Sequence, residues 1–353
     1  MRVRLVRNPR ELAELLPAWS DLFAGDPRGN ARNAPHLVTA FHQMFRPAVA
    51  PLVFVVHDRH DRVCGVLPLG LMRQRVGPII LRRLVPLIHW HAYGLDAVIV
   101  HDDAQAIGDA LRHAIGIAGW DQLALRHLRP DSWLLDPEVA PFRDIDSLNR
   151  SSGIPSAHIA LPREVVLRGR SGANMAERER KFLASGSIES GWQPVGEGFR
   201  EAVAEFIEMH GALKTMQQQT TTFRYGTAAR DFPGWLLAEA RAGRARLFTI
   251  RRDGAMVAAS VVLVSHGVGH SYRVAWAPAL GEFGLGILQT TRLIEACSAQ
   301  GDQTFDMGPG AEPYKLKWHP ELTTLVDLTA IRPTWRVHSA NQWLRLRGRP
   351  PLV

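Results

Sequence analysis

Cysteine is nearly missing from this chain: Cys64 and Cys297 stand far apart in 353 residues. That excludes a disulfide scaffold and any zinc-knuckle spacing, and it suits a reducing compartment. No apolar run is long enough to cross a bilayer. The opening MRVRLVRNPRELAELLPAW has neither a long apolar stretch nor a small-residue cleavage site, so no secretory signal is expected. Residue-level repeats are also absent. His89 and His91 in HWHAY are spaced i, i+2 without further ligands, which is poor zinc geometry, so no metal is expected. These absences predict a cytoplasmic protein, at most peripheral at the inner face of a membrane.

What is present is a globular composition, 46% hydrophobic and 22% charged, in a length that fits two domains of ordinary size. The formal charge is +8, most of it from arginine. Either this favours anionic partners, such as nucleotide phosphates or a membrane surface, or it reflects an arginine-rich composition without functional meaning.

Apolar periodicity predicts helices over residues 9–23 and 36–45, strands over 51–58, 62–73 and 78–88, a helix over 104–118 and a strand over 121–128. The second half repeats this order. Helices are expected over 171–186, 199–213 and 232–242, then a hairpin turning at Asp253-Gly254, a strand over 269–276, a helix over 287–300 and a strand over 304–308. Ser-Ser-Gly-Ile-Pro at 151–155 reads as the link between halves. Domains are therefore expected at 1–155 and 156–330, followed by a basic tail at 331–353.

Two stretches suggest chemistry. WAPALGEFGLGI (276–287) places Gly284 and Gly286 where a strand hands over to a helix, a position that either caps the helix or cradles a phosphate. FDMGPGAEPYKLKW (305–318) combines an acid, a flexible turn, a tyrosine and two lysines. With the Asp253-Gly254 hairpin and the strand through Tyr272, these residues make the second half resemble the GNAT-type acyltransferase domain of the cellulose-biosynthesis CelD-like family, distantly similar to the Fem peptidyl transferases. V-L-P-L at 66–69 extends the resemblance into the first half. Two departures stand out: Phe283-Gly284-Leu285-Gly286 replaces a Ser/Thr-Pro before the loop glycine, and Leu213 stands where a tryptophan usually precedes Lys214.

The resemblance implies an α+β fold of tandem GNAT-like domains, each a mostly antiparallel mixed sheet flanked by helices. It also implies transfer of an acyl group from acetyl-CoA or a longer acyl-CoA to an amine or hydroxyl. The thioester would lie between the strands of Tyr272 and Phe305, and the pyrophosphate on the amides of Gly284, Leu285, Gly286 and Ile287. Asp306 then either orients and deprotonates the acceptor or caps the Gly-Pro-Gly turn. Tyr314 either protonates the departing thiolate or packs in the core. If the segment is extended, Lys315 and Lys317 point to opposite sides and only one faces the site. Lys315 is taken as catalytic, with Lys317 and Glu312 lining the acceptor side. Glu312 and His210 are also general-base candidates, His210 and Lys214 are further acceptor-binding candidates, and His89, His91, Tyr93 and Asp96 are expected to line the cleft.

The tail TWRVHSANQWLRLRGRP carries no acid, so it either lies on an anionic membrane or packs as a terminal helix with a solvated arginine face. Nucleic acid is not an expected partner. The favoured acceptor is a cell-envelope sugar, peptide amine or amino-lipid precursor. The competing functions are Fem-like transfer from aminoacyl-tRNA and a non-catalytic ligand-binding GNAT pair.

Overall fold

The computed structural model describes residues 1–45, 48–88, 94–162 and 169–352. Along the chain run β1 (Arg2–Val6), α1 (Pro9–Ala24), α2 (Pro35–Phe45), β2 (Val49–His57), β3 (Val63–Val76), β4 (Ile79–Pro86), β5 (Val98–Ile99), α3 (Ala104–Ile117) and β6 (Gln122–Leu128). They are followed by β7 (Asn149–Ala160), α4 (Gly169–Leu183), β8 (Ile188–Trp192), α5 (Phe199–Met216), α6 (Ala228–Arg241), β9 (Ala245–Arg252) and β10 (Ala255–Ser265). The chain ends with β11 (Val268–Trp276), α7 (Leu285–Ala299), β12 (Thr304–Pro309), β13 (Glu321–Ile331) and α8 (Trp335–Leu346).

Local chemistry explains several boundaries. Asn8 caps α1 by accepting from the Glu11 amide, with Pro9 in the first turn where no amide is needed. Asp253 and Gly254 both take positive φ, 51° and 81°, which is the backbone a two-residue hairpin turn requires.

The chain divides into two compact units: Met1–Ile154 with the residues from Thr324 onward, and Pro155–Thr323. In the first, β1, β2, β3 and β4 pair antiparallel, β4 pairs parallel with β6, and β6 pairs antiparallel with β13. In the second, β8, β9, β10 and β11 pair antiparallel, β11 pairs parallel with β12, and β12 pairs antiparallel with β7. Each unit thus holds a hairpin, a further strand, a crossover helix (α3 or α7) and a strand returning parallel. The duplication read from the order of elements is present at the level of pairing, and the fold is α+β with a mostly antiparallel sheet in each unit.

In the second unit one face of the sheet carries α4 and α7, with Met175, Phe182, Leu285, Leu288 and Ile294 packed on Phe248, Ile250, Val262 and Phe305. Burial of such side chains contributes about 1.5–3 kcal/mol each, which is why the amphipathic pattern places these helices well.

The junction and the C-terminal segment take definite form. The 151–155 segment is where one unit passes into the next, as expected, but it is built as part of β7 and not as a loop, its small and polar residues disguising a strand. The unit boundary falls inside that strand. The residues expected as a basic tail form α8, capped by Thr334 through the Val337 amide and packed through Val337, Ala340 and Leu344 on Val76 and Leu81. The apolar stripe on α8 outweighs the arginines on its other face.

Gly77 tests this docking. It has φ +57°, and a Cβ there would stand 2.4 Å from the Trp343 ring. Gly77→Ala should therefore destabilise the protein by about 1–3 kcal/mol, combining left-handed strain with displacement of the ring. Urea denaturation followed by tryptophan fluorescence measures this, and an unchanged midpoint would mean that α8 does not depend on the contact.

Candidate active site

In the second unit β11 and β12 stay paired for three residues only: Val268 with Thr304, Gly269 with Phe305 and His270 with Asp306. Each strand then bulges. Against β10 the register jumps from Val261↔Arg273 to Val262↔Ser271, so Tyr272 is the extra residue. Against β7 it jumps from Asp306↔His158 to Gly308↔Ala157, which makes Met307 extra. A bulge bends its strand and disrupts the ladder, and here two neighbouring strands bulge just past their last shared pair. The result is a fork with His270 and Asp306 at its apex.

Asp306 is buried at the end of this ladder. Its Oδ1 accepts the Gly308 amide at 2.7 Å and its Oδ2 meets His270 Nδ1 at 2.9 Å. It does cap the glycine turn, and it is also half of an acid–imidazole pair. His270 had no signal in the sequence, because its partner lies 36 residues away and parallel register is not readable from one strand. Tyr272 offers the fork its bulged backbone; its ring stacks on Phe232 at 6.1 Å with the Arg273 guanidinium 4.4 Å above it.

His210 is 1% exposed, bonded through Nδ1 to the Thr221 hydroxyl at 2.9 Å and packed between Phe206 and Phe223. Burial, then the charges of Arg273 and Lys214, push its pKa down to about 4. An imidazole that weakly basic is neutral at physiological pH and a poor proton acceptor, so the geometry gives His210 a packing role. Lys214 donates to Gln217 at 3.1 Å and Gln219 at 2.9 Å, and burial followed by Arg273 lowers its pKa. Lys214 and Arg273 thus concentrate positive charge where α5 meets β11.

The turn after β12 differs from the extended segment expected. Lys315–Trp318 is a 3₁₀ turn, whose three-residue period puts Lys315 and Trp318 on one buried face. Lys315 Nζ donates to the carbonyls of Gly308 (3.2 Å), Pro309 (2.7 Å) and Gly310 (3.2 Å), and pairs with Glu312 at 3.0 Å. An ammonium has three hydrogens, and these four acceptors occupy them. Lys315 is therefore a clamp on the turn, and its chemistry leaves no donor over for an oxyanion. Burial alone would raise the Glu312 pKa; the Lys315 ammonium more than offsets it and holds the carboxyl below its ordinary range. Lys317 is half-buried. Tyr314 is 44% exposed with its ring edge on Trp318, and burial of its hydroxyl end, then the Glu312 charge, raise the phenol's pKa.

At the head of α7, Gly284 has φ +67° and serves as the cap. Its amide donates to Gly281 at 3.0 Å, and Ile287 donates to Gly284 at 3.0 Å. Of the four amides expected to hold pyrophosphate, two are thus occupied, and those of Leu285 and Gly286 point out of the first turn without an acceptor among the described residues. A Cβ on Gly284 would stand 3.3 Å from an Arg178 guanidinium nitrogen, so the exposed Arg178 of α4 lies over this helix end. The sequence pattern of α4 gave no sign of that.

In the first unit, Asp96 is not cleft-lining. It is buried, and it accepts from the Ala97 amide (2.8 Å), the Ser132 hydroxyl (2.9 Å) and the Trp133 amide (3.1 Å). Burial pushes its pKa up to about 8 against those hydrogen bonds. Its expected companions His89, His91 and Tyr93 lie outside the described residues. Among the described residues no group of His, Cys, Asp and Glu is arranged to hold a metal, and no helix is long and apolar enough to cross a membrane.

Residues 170–316, all in the second unit, match the family model of the acetyltransferase (GNAT) domain. No curated protein matches the chain by sequence. Among solved structures, FemX is similar at a TM-score of 0.60 and 10% identity, covering 98% of this chain and 99% of its own. The C-terminal domain of a putative lysylphosphatidylglycerol synthetase from Agrobacterium fabrum is similar at 0.56 and 14% identity, covering 95% and 96%. L-PGS from Bacillus licheniformis is similar at 0.55 and 13%, covering 97% and 98%. At these identities the likeness is one of fold.

Two outcomes follow from the side chains just placed. Lys315→Met should cost about 2–4 kcal/mol, because it leaves buried carbonyls and a carboxylate without their cation, whereas Lys317→Ala should cost under ~1 kcal/mol. Equal costs in urea denaturation would remove the clamp. For Asp96 the folded pKa lies above the unfolded one, so its stabilisation is present below about pH 4 and is lost as pH rises toward 8. Asp96→Asn should then gain on wild type in melting temperature between pH 5 and 8; a pH-independent difference would show that Asp96 is ionised in the fold.

Proposed function

We propose that the second unit transfers an acyl group from acyl-CoA to an amine or hydroxyl of an anionic cell-envelope precursor. The observation that carries this is Arg178 beside the head of α7. A guanidinium next to the positive end of a helix is unfavourable by itself, and among the described residues no carboxylate pairs with Arg178. A diphosphate resolves that conflict by accepting from the Leu285 and Gly286 amides and from the guanidinium together.

The fork supplies the rest of the donor site. Beyond His270 and Asp306 the facing edges of β11 and β12 no longer bond each other. An extended arm bearing amide groups, as in the pantetheine of CoA, can join such an edge as a strand would. It would run from the head of α7 toward the apex, bringing the thioester to the bulge at Tyr272. On the α5 side, Lys214 and Arg273 suit an acceptor carrying phosphate or carboxylate. The finer resemblance through FDMGPGAEPYKLKW supports an envelope sugar or amino-lipid precursor as that acceptor.

Calorimetric titration with CoA tests the reading. Wild type should bind, and Arg178→Ala should bind roughly 5- to 150-fold more weakly, since a charge-assisted contact is worth about 1–3 kcal/mol. Gly286→Val should weaken binding as well, because its Cβ would stand 3.2 Å from Trp276 Nε1 and its branches would cover the amides. A wild-type protein that binds tRNA and not CoA would replace this donor with an aminoacyl-tRNA, and one that binds neither would leave a non-catalytic module.

A further inference from the structure

His158, Asp306 and His270 stand side by side across β7, β12 and β11, because Asp306 is in register with both histidines. Phe305, Met307 and Ile159 face the α4 and α7 core. Alternation along the strands turns the three polar residues to the opposite face, where α5 and α6 lie. His158 closes one end of the row, 3.2 Å from Glu321. The other end is different: His270 is 6% exposed and Asp306 8%.

The distance at that end selects one tautomer of the neutral ring. An ionised carboxylate only accepts, so a neutral His270 with Nδ1 2.9 Å from an ionised Asp306 Oδ2 carries its hydrogen on Nδ1. The lone pair is then on Nε2. That nitrogen is buried and has no hydrogen-bond partner among the described residues. Burying a polar atom unpaired is costly, and a native fold keeps few such atoms. Its position is the last pair before β11 and β12 diverge, two residues from the bulge at Tyr272.

We propose that His270 Nε2 is the general base of the transfer reaction and that Asp306 is its positioning residue; this rests on the acyl-transfer reading above. The Nε2 lone pair takes a proton from the acceptor's amine or hydroxyl while that nitrogen or oxygen bonds to the thioester carbonyl carbon. The carbon–sulfur bond breaks, and the proton on Nε2 passes to the departing thiolate. One amide or ester and one free thiol result, with no change of oxidation state. Asp306 holds the Nδ1–H tautomer and stabilises the imidazolium formed in between, as an acid behind an imidazole does elsewhere. Asp306 is left the positioning role because the Gly308 N–H and the His270 ring engage its two oxygens.

The test combines a spectroscopic and a kinetic arm. Long-range proton–nitrogen NMR on histidine-labelled protein at pH 8, assigned with His270→Gln, should find His270 as the Nδ1–H tautomer. In Asp306→Asn the amide should keep its oxygen on Gly308 N–H and turn its NH2 to the ring, converting His270 to the Nε2–H tautomer. With acetyl-CoA as probe and water as nucleophile, thiol release by His270→Gln should fall about 10²–10⁴-fold, the usual contribution of positioned proton transfer. Its CoA affinity by calorimetry should stay at the wild-type value. An Nε2–H tautomer in the wild type, or thiol release by His270→Gln at the wild-type rate, would overturn the assignment. Failure of the wild type to bind CoA would instead overturn the acyl-CoA reading, and the tautomer decides the state of the base without any turnover.

Discussion

The arrangement of the second unit depends on where β11 and β12 stop pairing. Three parallel pairs hold them together, and then Pro309, which has no amide hydrogen, sits where β12 would have to keep donating. The carbonyls of Gly308, Pro309 and Gly310 are turned instead onto the Lys315 ammonium. The Gly310 amide goes to Pro155 at 2.7 Å. A single buried cation therefore gathers the acceptors that would otherwise re-form the ladder. Glu312 balances its charge, and Gly310 is required because its φ of +100° is a backbone conformation that L side chains rarely adopt. Gly308, Pro309, Gly310 and Lys315 of the 305–318 run are explained by this one structural task, before any chemistry is assigned.

That task also separates what the sequence disclosed from what it hid. Apolar periodicity and turn chemistry disclosed α1, α3, the Asp253-Gly254 hairpin, β11 and α7, because their signals are local. The run around Asp306 stood out for the same reason. β7 was hidden, since Ser-Ser-Gly-Ile-Pro carries turn residues and its pairing with β12 is long-range. Lys315 was misjudged because a 3₁₀ turn and an extended segment are indistinguishable in so short a stretch. His270 and Arg178 were invisible for a deeper reason: each acquires meaning from a partner on another element, and neither spacing nor composition encodes parallel register or helix approach.

On the proposed reading, the duplicated fold raises the question of why a donor would bind in one unit. In the first unit the helix following the third strand is α3, the counterpart of α7. Its head carries Asp102 and Asp103 in place of a bare glycine cap. Carboxylates at that position favour the helix dipole and repel a diphosphate. The parallel pair corresponding to β11 and β12 is β4 and β6, joined at Arg83↔Gln122 and Leu84↔Leu123, with no acid–imidazole pair. The same scaffold therefore presents a helix end already neutralised by its own chain in one unit and an uncompensated one under an arginine in the other. On the acyl-CoA reading proposed above, a diphosphate would favour the uncompensated helix end of the second unit over the acid-capped end of the first.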